Sequence, residues 1–450
     1  MASKRVLTPE QLVLQEARRL KKAKVAATQV QSEPQLWGNA KTLERKWHQL
    51  AEPSGTNVTQ RVKILTWNLL AQCLVRRELF PNSDCLKAGQ RENMIYREIL
   101  TCEADILCLQ EVDRLEKLLP ILERAGYTHH YASGPRKLHG CLIAYKQELY
   151  ELAGQRTIYY DEQEVRTNGE ESRGRGSSFR TKNIGHIASL RNKKNDQGVI
   201  IATTHLFWHP KYVYERARQA GILKRETLRY RDETHPDWPC ILAGDFNFTP
   251  DDAAYSFAVG DPLSAPQKEL LDVSRVVHTT IDPSFSDGGA QKEDENEETA
   301  APDPDRVIVN ARPAQPSDGL LSSQELEELF TKAGPPLRSM YDLGLRLHKE
   351  TRSPPSGDGA KFVTFGERTG LQPHRRGYHE PQWTSYTYYW QNSIDYIFVV
   401  DPVDVQSTVV GLLSPPSTSD LEPGIPRQGV SGSDHVSLCV EIAFTGNSVI

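Results

Sequence analysis

The feature that most constrains this chain is the apolar run 239–243, which ends in the tetrapeptide GDFN at 244–247. A short apolar run bounded by turn-forming residues predicts a buried strand. Because side chains alternate along an extended chain, Asp245 and Asn247 share one face while Phe246 points into the core. On its own, this pattern also fits an ordinary turn after a strand.

Five more apolar segments carry polar residues at one end. These residues are Asn68, Glu111, His205 and Asp395, together with the pair Asp434 and His435. Taken singly, each of them could instead be a turn residue, an acidic residue at the start of a helix or a half-buried core residue. Together they predict a common crevice, because open α/β sheets gather strand-end residues along one edge. Carboxylates left isolated on apolar strands would be costly without a partner or a metal.

The residue types in this set favour phosphoryl chemistry at a divalent metal. Carboxylate and carboxamide oxygens favour Mg²⁺, with Mn²⁺ as the alternative. Two histidines could donate to phosphate oxygens, and a carboxylate could position or deprotonate the attacking water. Asp395 would orient His435, as the third group of a hydrolytic triad orients its base. The sequence contains no G-x-S-x-G serine elbow, so a covalent acyl mechanism is not supported.

Six motifs, TWNLL, LQEV, TTHLFWHP, GDFN, IDYIF and SDHV, occur in this order over residues 61–444 and resemble those of the endonuclease/exonuclease/phosphatase superfamily. More narrowly, the chain resembles the branch of poly(A) deadenylases, nocturnin and the Angel/Ngl exoribonucleases, and within it the fungal Ngl-type RNA exonucleases. The resemblance implies a four-layer, DNase I-like α/β sandwich, in which two facing, mostly antiparallel sheets are flanked by helices. The active site is expected at one end of the sandwich.

The resemblance implies a role for each polar residue. Glu111 would be the central Mg²⁺ ligand, with Asn68 beside it and Asp434 completing the metal-side network. Asp245 would position the nucleophilic water, and Asn247 would contact the scissile phosphate. The number of metal ions stays open, because a two-metal clamp is a known option for nucleases.

The resemblance also implies contacts with the substrate phosphate. His205 and His435 would hold phosphate oxygens, and Asp395 would orient His435. Asn183 resembles a family asparagine that lies near the phosphates.

Pro210 and Trp390 are expected to form a base pocket, because this branch of relatives places a proline and an aromatic ring at these positions. Stacking of a base on a ring is worth about 1–3 kcal/mol. Trp390 could instead pack within the sheet, as most aromatic residues do. His139 stands where the deadenylases usually carry Asp, which argues against a strict preference for poly(A). It could face the pocket or only begin a strand.

The activity implied is that of a Mg²⁺-dependent 3′ exoribonuclease. It would hydrolyse phosphodiester bonds at single-stranded RNA ends and release nucleoside monophosphates, in RNA 3′-end processing or deadenylation. The enzymatic alternatives are a phosphatase or 2′-phosphodiesterase of small phosphorylated molecules and a DNA-repair endonuclease. The alternative of another class is a catalytically silent RNA-binding scaffold, which the complete set of polar residues disfavours. The RNA itself, whether a ribosomal precursor, a transfer RNA or poly(A), stays open.

We expect one catalytic domain over 61–444, preceded by an N-terminal basic helix and linker at 1–60. The helix predicted over 8–28 carries a Lys/Arg cluster that could be a nuclear localisation patch, an RNA-contacting arm or a solvated face. The acidic, Pro- and Gly-rich insertion at about 284–317 is predicted to be disordered. The Lys/Arg-rich helix predicted at 212–234 could line the RNA path or be an ordinary outer helix.

The amino-acid composition limits the binding partners and the cellular compartments that we expect for this chain. The net charge of −5 argues against bulk electrostatic affinity for nucleic acid, although it says little about a local groove. Seven scattered cysteines without a C-x-x-C pair predict reduced thiols and no structural zinc. The sequence has no apolar run of 18 residues and no apolar signal core, so no membrane span is predicted. We expect a monomer in the cytoplasm, the nucleus or both, and protein partners stay open.

Overall fold

The computed structural model describes residues 36–53, 58–166, 174–284, 310–351 and 362–446. The chain divides into two compact units, residues 1–39 and 40–450. Every described helix and strand lies in the second unit. The helix predicted over 8–28 lies outside the described residues.

One sheet contains seven strands, and most neighbouring strands in it are antiparallel. They are β1 (Trp47–Gln49), β2 (Val58–Asn68), β3 (Ile106–Val112), β4 (Tyr127–Ala132), β5 (Gly140–Lys146), β16 (Val405–Leu413) and β17 (Leu438–Gly446). Their order across the sheet is β1-β16-β17-β2-β3-β5-β4, with β2 and β3 parallel. The edge strand β1 pairs with β16, so this sheet begins inside the segment that we expected to be a linker.

The other large sheet contains six strands. They are β6 (Tyr150–Tyr159), β7 (Ile184–Asn192), β8 (Gly198–His205), β9 (Cys240–Asp245), β12 (Arg338–Ser339) and β15 (Asp395–Val400). Their order is β12-β15-β9-β8-β7-β6, with β8 and β9 parallel. Two short antiparallel pairs are also present, β10 (Val276–His278) with β11 (Ala311–Pro313), and β13 (Ser385–Tyr386) with β14 (Gln391–Asn392).

The two large sheets face each other across a buried core. Ile64 and Ile106 of the first sheet and Ile201 and Ile241 of the second belong to one buried cluster. The alternate residue Leu242 belongs to a second cluster, on the outer side of the six-stranded sheet. Because the central strands are covered on both faces, their sequences read as continuous apolar runs. The predicted sandwich of two facing, mostly antiparallel sheets is therefore confirmed, and each sheet contains one parallel pair.

Helices flank the sheets. They are α1 (Ala88–Thr101), α2 (Leu115–Arg124), α3 (Val213–Thr234), α4 (Ala253–Val259), α5 (Ala265–Val273), α6 (Ser323–Thr331), α7 (Met340–Thr351), α8 (Phe365–Thr369) and α9 (Thr418–Leu421). Ser264 and Ser322 cap α5 and α6 by accepting a hydrogen bond from a backbone N–H of the first turn. In the described parts of the chain, no helix combines the length and apolar character needed to cross a membrane.

The first half of helix α3 is buried, and two of its arginines bind neighbouring residues instead of facing solvent. Arg216 and Arg218 are both buried. Arg216 donates to the carbonyl oxygen of Pro210 at 2.9 Å and to Asp252 Oδ2 at 3.0 Å, and Arg218 pairs with buried Glu215 at 2.9 Å. Buried charges without such partners would carry a large desolvation cost. These guanidinium groups therefore hold surrounding loops in place.

Disorder over 284–317 stays a prediction: residues 285–309 lie outside the described residues, whereas residues 310–317 are described. Strand β11 pairs with β10 there. Arg312 of β11 bonds to Asp282 at 2.8 Å and to Asp318 at 2.7 Å. These two ion pairs and the strand pairing order a segment whose composition alone indicates a loop.

Candidate active site

Strand pairing brings the predicted polar residues to one end of the sandwich. In the six-stranded sheet, Asp245 pairs with His205 of β8 on one side and with Asp395 of β15 on the other. In the facing sheet, Asn68 ends β2, and Glu111 lies on the parallel strand β3. Asn68 Nδ2 donates to Glu111 Oε1 and to Asp245 Oδ2, both at 3.0 Å. One carboxamide thus joins a carboxylate from each sheet.

Asp395 and His435 form the expected pair. His435 Nδ1 lies 2.8 Å from Asp395 Oδ2, and both residues are buried. The Nε2 atom of the same ring lies 3.7 Å from Asp245 Oδ2. The backbone N–H of His435 donates to Ser433 Oγ at 3.1 Å, and that hydroxyl donates to the carbonyl oxygen of Asn68 at 2.6 Å. The ring is therefore fixed with Nε2 toward the carboxylate cluster.

The two histidines of the site differ in protonation. Burial lowers the pKa of His205 to about 4, although the Glu111 charge opposes this shift. Burial also disfavours the charged form of His435, but the carboxylates of Asp395 and Asp245 raise its pKa well above 6.5. Near neutral pH, the site therefore contains one neutral imidazole and one imidazolium.

Glu111 is the carboxylate best suited to bind a cation. Burial works against its charge, but hydrogen bonds from Asn68 Nδ2 and from the N–H of Ala71 (2.8 Å) help to hold its pKa below the ordinary value. Mg²⁺ prefers such oxygen ligands. Asn68 itself turns Nδ2 to the carboxylates, while its Oδ1 accepts from the N–H of Leu70 at 3.0 Å. In this arrangement Asn68 supports Glu111 and its own oxygen is engaged by the backbone.

A second group of side chains could also hold a metal ion. It consists of Asp245, Asp395 and His435, whose ligand atoms lie within 4.8 Å of one another. Burial raises the pKa of Asp395 to about 6 and raises that of Asp245 above its ordinary value. A bound cation would favour the charged form of both carboxylates. This donor set differs from the ligands that the sequence predicts.

Asp434 directly precedes His435 in the chain, and part of its surface is exposed. Its surroundings raise its pKa to about 6, chiefly through burial, while His435 opposes the shift and Glu111 adds to it. Its carbonyl oxygen accepts from the N–H of Tyr386 at 3.0 Å. The structure thus places Asp434 within electrostatic range of Glu111, and a role as metal ligand stays a prediction.

Glu111 and Asn247 both adopt the left-handed backbone conformation, with φ of 54° and 52°. Residues other than glycine rarely do so, and such strain concentrates at functional sites. The N–H of Asn247 donates to Asp245 Oδ1 at 3.0 Å, and its Nδ2 donates to the carbonyl oxygen of Leu206 at 2.9 Å. Asn247 therefore helps to fix Asp245, and its predicted contact with the phosphate stays a prediction.

Asn183 lies beside His205, together with a cation that the sequence analysis missed. Asn183 Nδ2 donates to the carbonyl oxygen of His205 at 2.7 Å, and its Oδ1 accepts from Lys137 Nζ at 3.1 Å. The Lys137 charge adds to the burial effect that lowers the pKa of His205. The buried ring of His139 lies 6.3 Å from that of His205, between centroids, so it faces the site.

Arg91 of α1 is a second residue that the sequence analysis missed. It is only 2% exposed. Its guanidinium donates to the carbonyl oxygens of Leu69 at 2.6 Å, Leu70 at 2.5 Å and Gly432 at 2.6 Å. It therefore joins the turn after β2 to the segment that carries the Asp-His pair. An arginine within an amphipathic helix gives no sequence signal that separates this position from a solvated one.

The two residues of the predicted base pocket both reach the surface at this end. Pro210 is exposed on the loop after β8, and Trp390 is half-buried on the turn between β13 and β14. Ser385 of β13 forms a β-bridge with His435. The turn is thus connected to the catalytic segment, and binding of a base between Pro210 and Trp390 stays a prediction.

Comparison of the chain with known protein families identifies the class to which it belongs. The model of the Endonuclease/Exonuclease/phosphatase family matches residues 65–435. The chain therefore belongs to this family, as its motifs predict.

Individual relatives agree with the predicted branch. The chain is 28% identical over 418 residues to a probable RNA exonuclease of Schizosaccharomyces pombe, which covers 85% of this chain and 76% of the relative. It is 26% identical to RNA exonuclease NGL2 of Saccharomyces cerevisiae, over 98% of this chain and 90% of the relative. The crystal structure of ANGEL2, a 2′,3′-cyclic phosphatase, superposes with a TM-score of 0.56 at 19% identity, over 89% of this chain and 98% of that one. The last likeness confirms the fold alone.

Proposed function

We propose that this protein is a Mg²⁺-dependent 3′ exoribonuclease that releases nucleoside monophosphates from single-stranded RNA ends. The observation that carries the proposal is the convergence of Glu111, Asp245 and the Asp395–His435 pair at one end of the sandwich. Two relatives that align with most of this chain are an RNA exonuclease and a probable one. The physical chemistry of the cluster suits hydrolysis of a phosphodiester.

Asp245 is the residue that would position the attacking water. Its two oxygens accept hydrogen bonds from Asn247 N and Asn68 Nδ2, so the carboxylate has one fixed orientation. The imidazolium of His435 can donate from Nε2 to a phosphate oxygen, which stabilises charge that develops in the transition state. The neutral ring of His205 can donate to a second phosphate oxygen. General acid-base help of this kind contributes about 10²–10⁴-fold to a rate.

The residues also fit the proposed metal. Glu111 would hold Mg²⁺, with Asp434 on the same side, and Asn68 would keep the glutamate in place. The bound ion would act as a Lewis acid on the phosphate oxygens. The fit rests on the charged, hydrogen-bonded state of Glu111 and on the strained backbone that presents it.

Product analysis on 20-nucleotide RNA tests the proposal directly. With a 5′ label and Mg²⁺, an exonuclease should give a ladder that shortens from the 3′ end, and the released product should be nucleoside monophosphate. EDTA should abolish the reaction, and Mn²⁺ should restore it. Internal cuts, or rapid release of phosphate from small molecules without RNA cleavage, would overturn the proposal in favour of an endonuclease or a phosphatase.

Glu111→Gln provides the matching variant. It should lower turnover at least about 10³-fold, because it removes the charge that anchors the metal, while the amide oxygen still accepts from Ala71. Glu116→Gln, an exposed position on α2, is the control and should keep full turnover. Full activity in both variants would contradict the role of Glu111.

Residence in the cytoplasm or nucleus is part of the proposal. All seven cysteines are free thiols, and five of them are buried. This state suits a reducing compartment.

A further inference from the structure

We infer that the turn between β13 and β14 is a surface on which nucleobases of the RNA stack. These bases would lie upstream of the two nucleotides that flank the scissile bond, so the inference rests on the proposed function. The surface, here called the aromatic turn, consists of Tyr388, Tyr389 and Trp390. Tyr388 is 56% exposed and Tyr389 is 45% exposed, whereas Trp390 is half-buried. Exposure therefore increases from Trp390, the ring predicted to contact the terminal base, toward the two tyrosines that precede it in the chain.

The aromatic turn is rigid although its rings lie in solvent. The N–H of Thr387 donates to the carbonyl oxygen of Trp390 at 2.7 Å, and the N–H groups of Tyr389 and Trp390 donate to Thr387 Oγ1 at 3.2 and 2.8 Å. The Tyr388 and Tyr389 rings meet edge to face with centroids 4.9 Å apart, and those of Tyr389 and Trp390 lie 5.9 Å apart. Because the turn is already ordered, binding would cost little conformational entropy. Such preorganisation suits recognition.

The aromatic turn is joined to the catalytic segment by backbone contacts. Ser385 forms a β-bridge with His435, and the N–H of Val436 donates to the carbonyl oxygen of Thr384 at 2.7 Å. Consecutive Cα atoms are about 3.8 Å apart, so Tyr388 lies within about 11 Å of Ser385. An RNA strand that leaves the site on this side would meet the rings within a few nucleotides.

Other exposed apolar side chains lie at the same end of the sandwich. Trp208 on the loop after β8 is 40% exposed, and Leu138 on the loop before β5 is also exposed. The same two loops carry the cations Lys137 and Lys211. Aromatic platforms interleaved with cations bind single-stranded nucleic acid with little sequence preference. Because this surface adjoins the proposed phosphodiester site, we expect it to bind single-stranded nucleic acid and not a protein.

Substrate length provides the test. Stacking of about 1–3 kcal/mol per base corresponds to about 5–150-fold in binding. In Tyr388→Ala/Tyr389→Ala, the ratio of kcat/KM for an octanucleotide to kcat/KM for a dinucleotide should therefore fall at least about fivefold. Tyr388→Phe/Tyr389→Phe should keep the wild-type ratio, because the rings remain. Leu270→Ala, which removes an exposed apolar side chain from α5, should also keep it.

A binding measurement separates this inference from the proposed function. Fluorescence anisotropy with an octanucleotide that carries a 3′-terminal phosphorothioate linkage should give a Kd at least about fivefold weaker for Tyr388→Ala/Tyr389→Ala than for the wild type. RNA binding through the rings without cleavage by the wild type would refute the exonuclease and keep the stacking surface. Cleavage with an unchanged length ratio and unchanged Kd would keep the exonuclease and overturn the stacking surface. An equal loss on the dinucleotide and the octanucleotide would also overturn it, because the rings would then only support the fold.

Discussion

Arg91→Met should destabilise the protein, because one buried guanidinium connects the two chain segments that frame the site. The substitution removes donors from three backbone carbonyls and from Gln72 Oε1, which lies 3.1 Å away. Hydrogen bonds to charged groups contribute about 1.5–3 kcal/mol each but are not additive. Three buried carbonyl groups that lose their donor together should cost about 3–5 kcal/mol, since one unsatisfied buried group costs about 1–3 kcal/mol. We expect a loss in that range in the free energy of unfolding.

The same substitution should weaken metal binding. Leu70, whose carbonyl oxygen Arg91 holds, has a left-handed backbone with φ of 56°. The next residue, Ala71, donates its N–H to Glu111 Oε2. Without the guanidinium, this peptide is free to rotate and the glutamate loses a donor. Loss of such a supporting contact costs about 10–100-fold in metal affinity, so the Mg²⁺ concentration for half-maximal activity should rise by that factor.

Two measurements and one control variant test the predicted effects of Arg91→Met. Urea unfolding gives the stability, and a Mg²⁺ activation curve at low temperature gives the metal affinity of the folded enzyme. Arg97→Met, on the same helix, removes a distant ion pair with Glu44 at 3.8 Å and should cost less than about 1 kcal/mol. A destabilised Arg91→Met with an unchanged Mg²⁺ curve would make Arg91 a structural residue only. Unchanged stability would refute the whole argument.

Three further substitutions test other parts of the structure. Asp395→Asn should lower turnover about 10²-fold and move the alkaline limb of the pH–rate profile to lower pH, because the pKa of His435 is raised chiefly by this carboxylate against burial. Glu380→Gln should flatten the pH dependence of the free energy of unfolding. Burial raises the pKa of Glu380 from 4.5 to about 8, so between these pH values the folded state keeps a proton that the unfolded chain releases. The stability of the wild type therefore falls as the pH rises through this range. Urea unfolding at pH 5 and pH 7.5 should show about 3 kcal/mol less difference in the variant than in the wild type. Arg216→Met should raise KM for RNA more than it lowers kcat, because it releases the loop that carries Pro210, and steady-state kinetics on an octanucleotide would show this.

The site was largely predictable because its residues are marked by local patterns. Asp245 and Asp395 each occupy one end of an apolar strand, and antiparallel pairing of two such strands places them opposite each other. His205 ends the parallel neighbour of β9 and reaches the same edge. Alternation and strand direction alone determine these positions. The sequence therefore contains enough information to bring these three side chains together.

The supporting residues were not predictable in the same way. Two of them, Arg91 and Arg216, lie on helices, and Lys137 lies on a turn. A basic residue at such a position normally faces solvent. Each of these three residues binds a backbone carbonyl or a carboxamide on another segment of the chain, and a carbonyl oxygen has no identity in the sequence. The amide orientation of Asn68 is likewise decided by two carboxylates from different sheets. Such tertiary contacts become visible only when the sheets are docked.

The different protonation of the two histidines follows from distance, since carboxylates lie near both rings. His435 Nδ1 lies 2.8 Å from Asp395, within hydrogen-bond range, whereas the nitrogens of His205 lie 3.5 Å from Asp245 and 3.8 Å from Glu111. The hydrogen bond offsets the desolvation of a charged ring, and the longer contacts do not. A cation at Glu111 would further disfavour a charge on His205, while His435 keeps its own carboxylate. Metal binding and an imidazolium donor are therefore compatible in this site because each depends on a different acid.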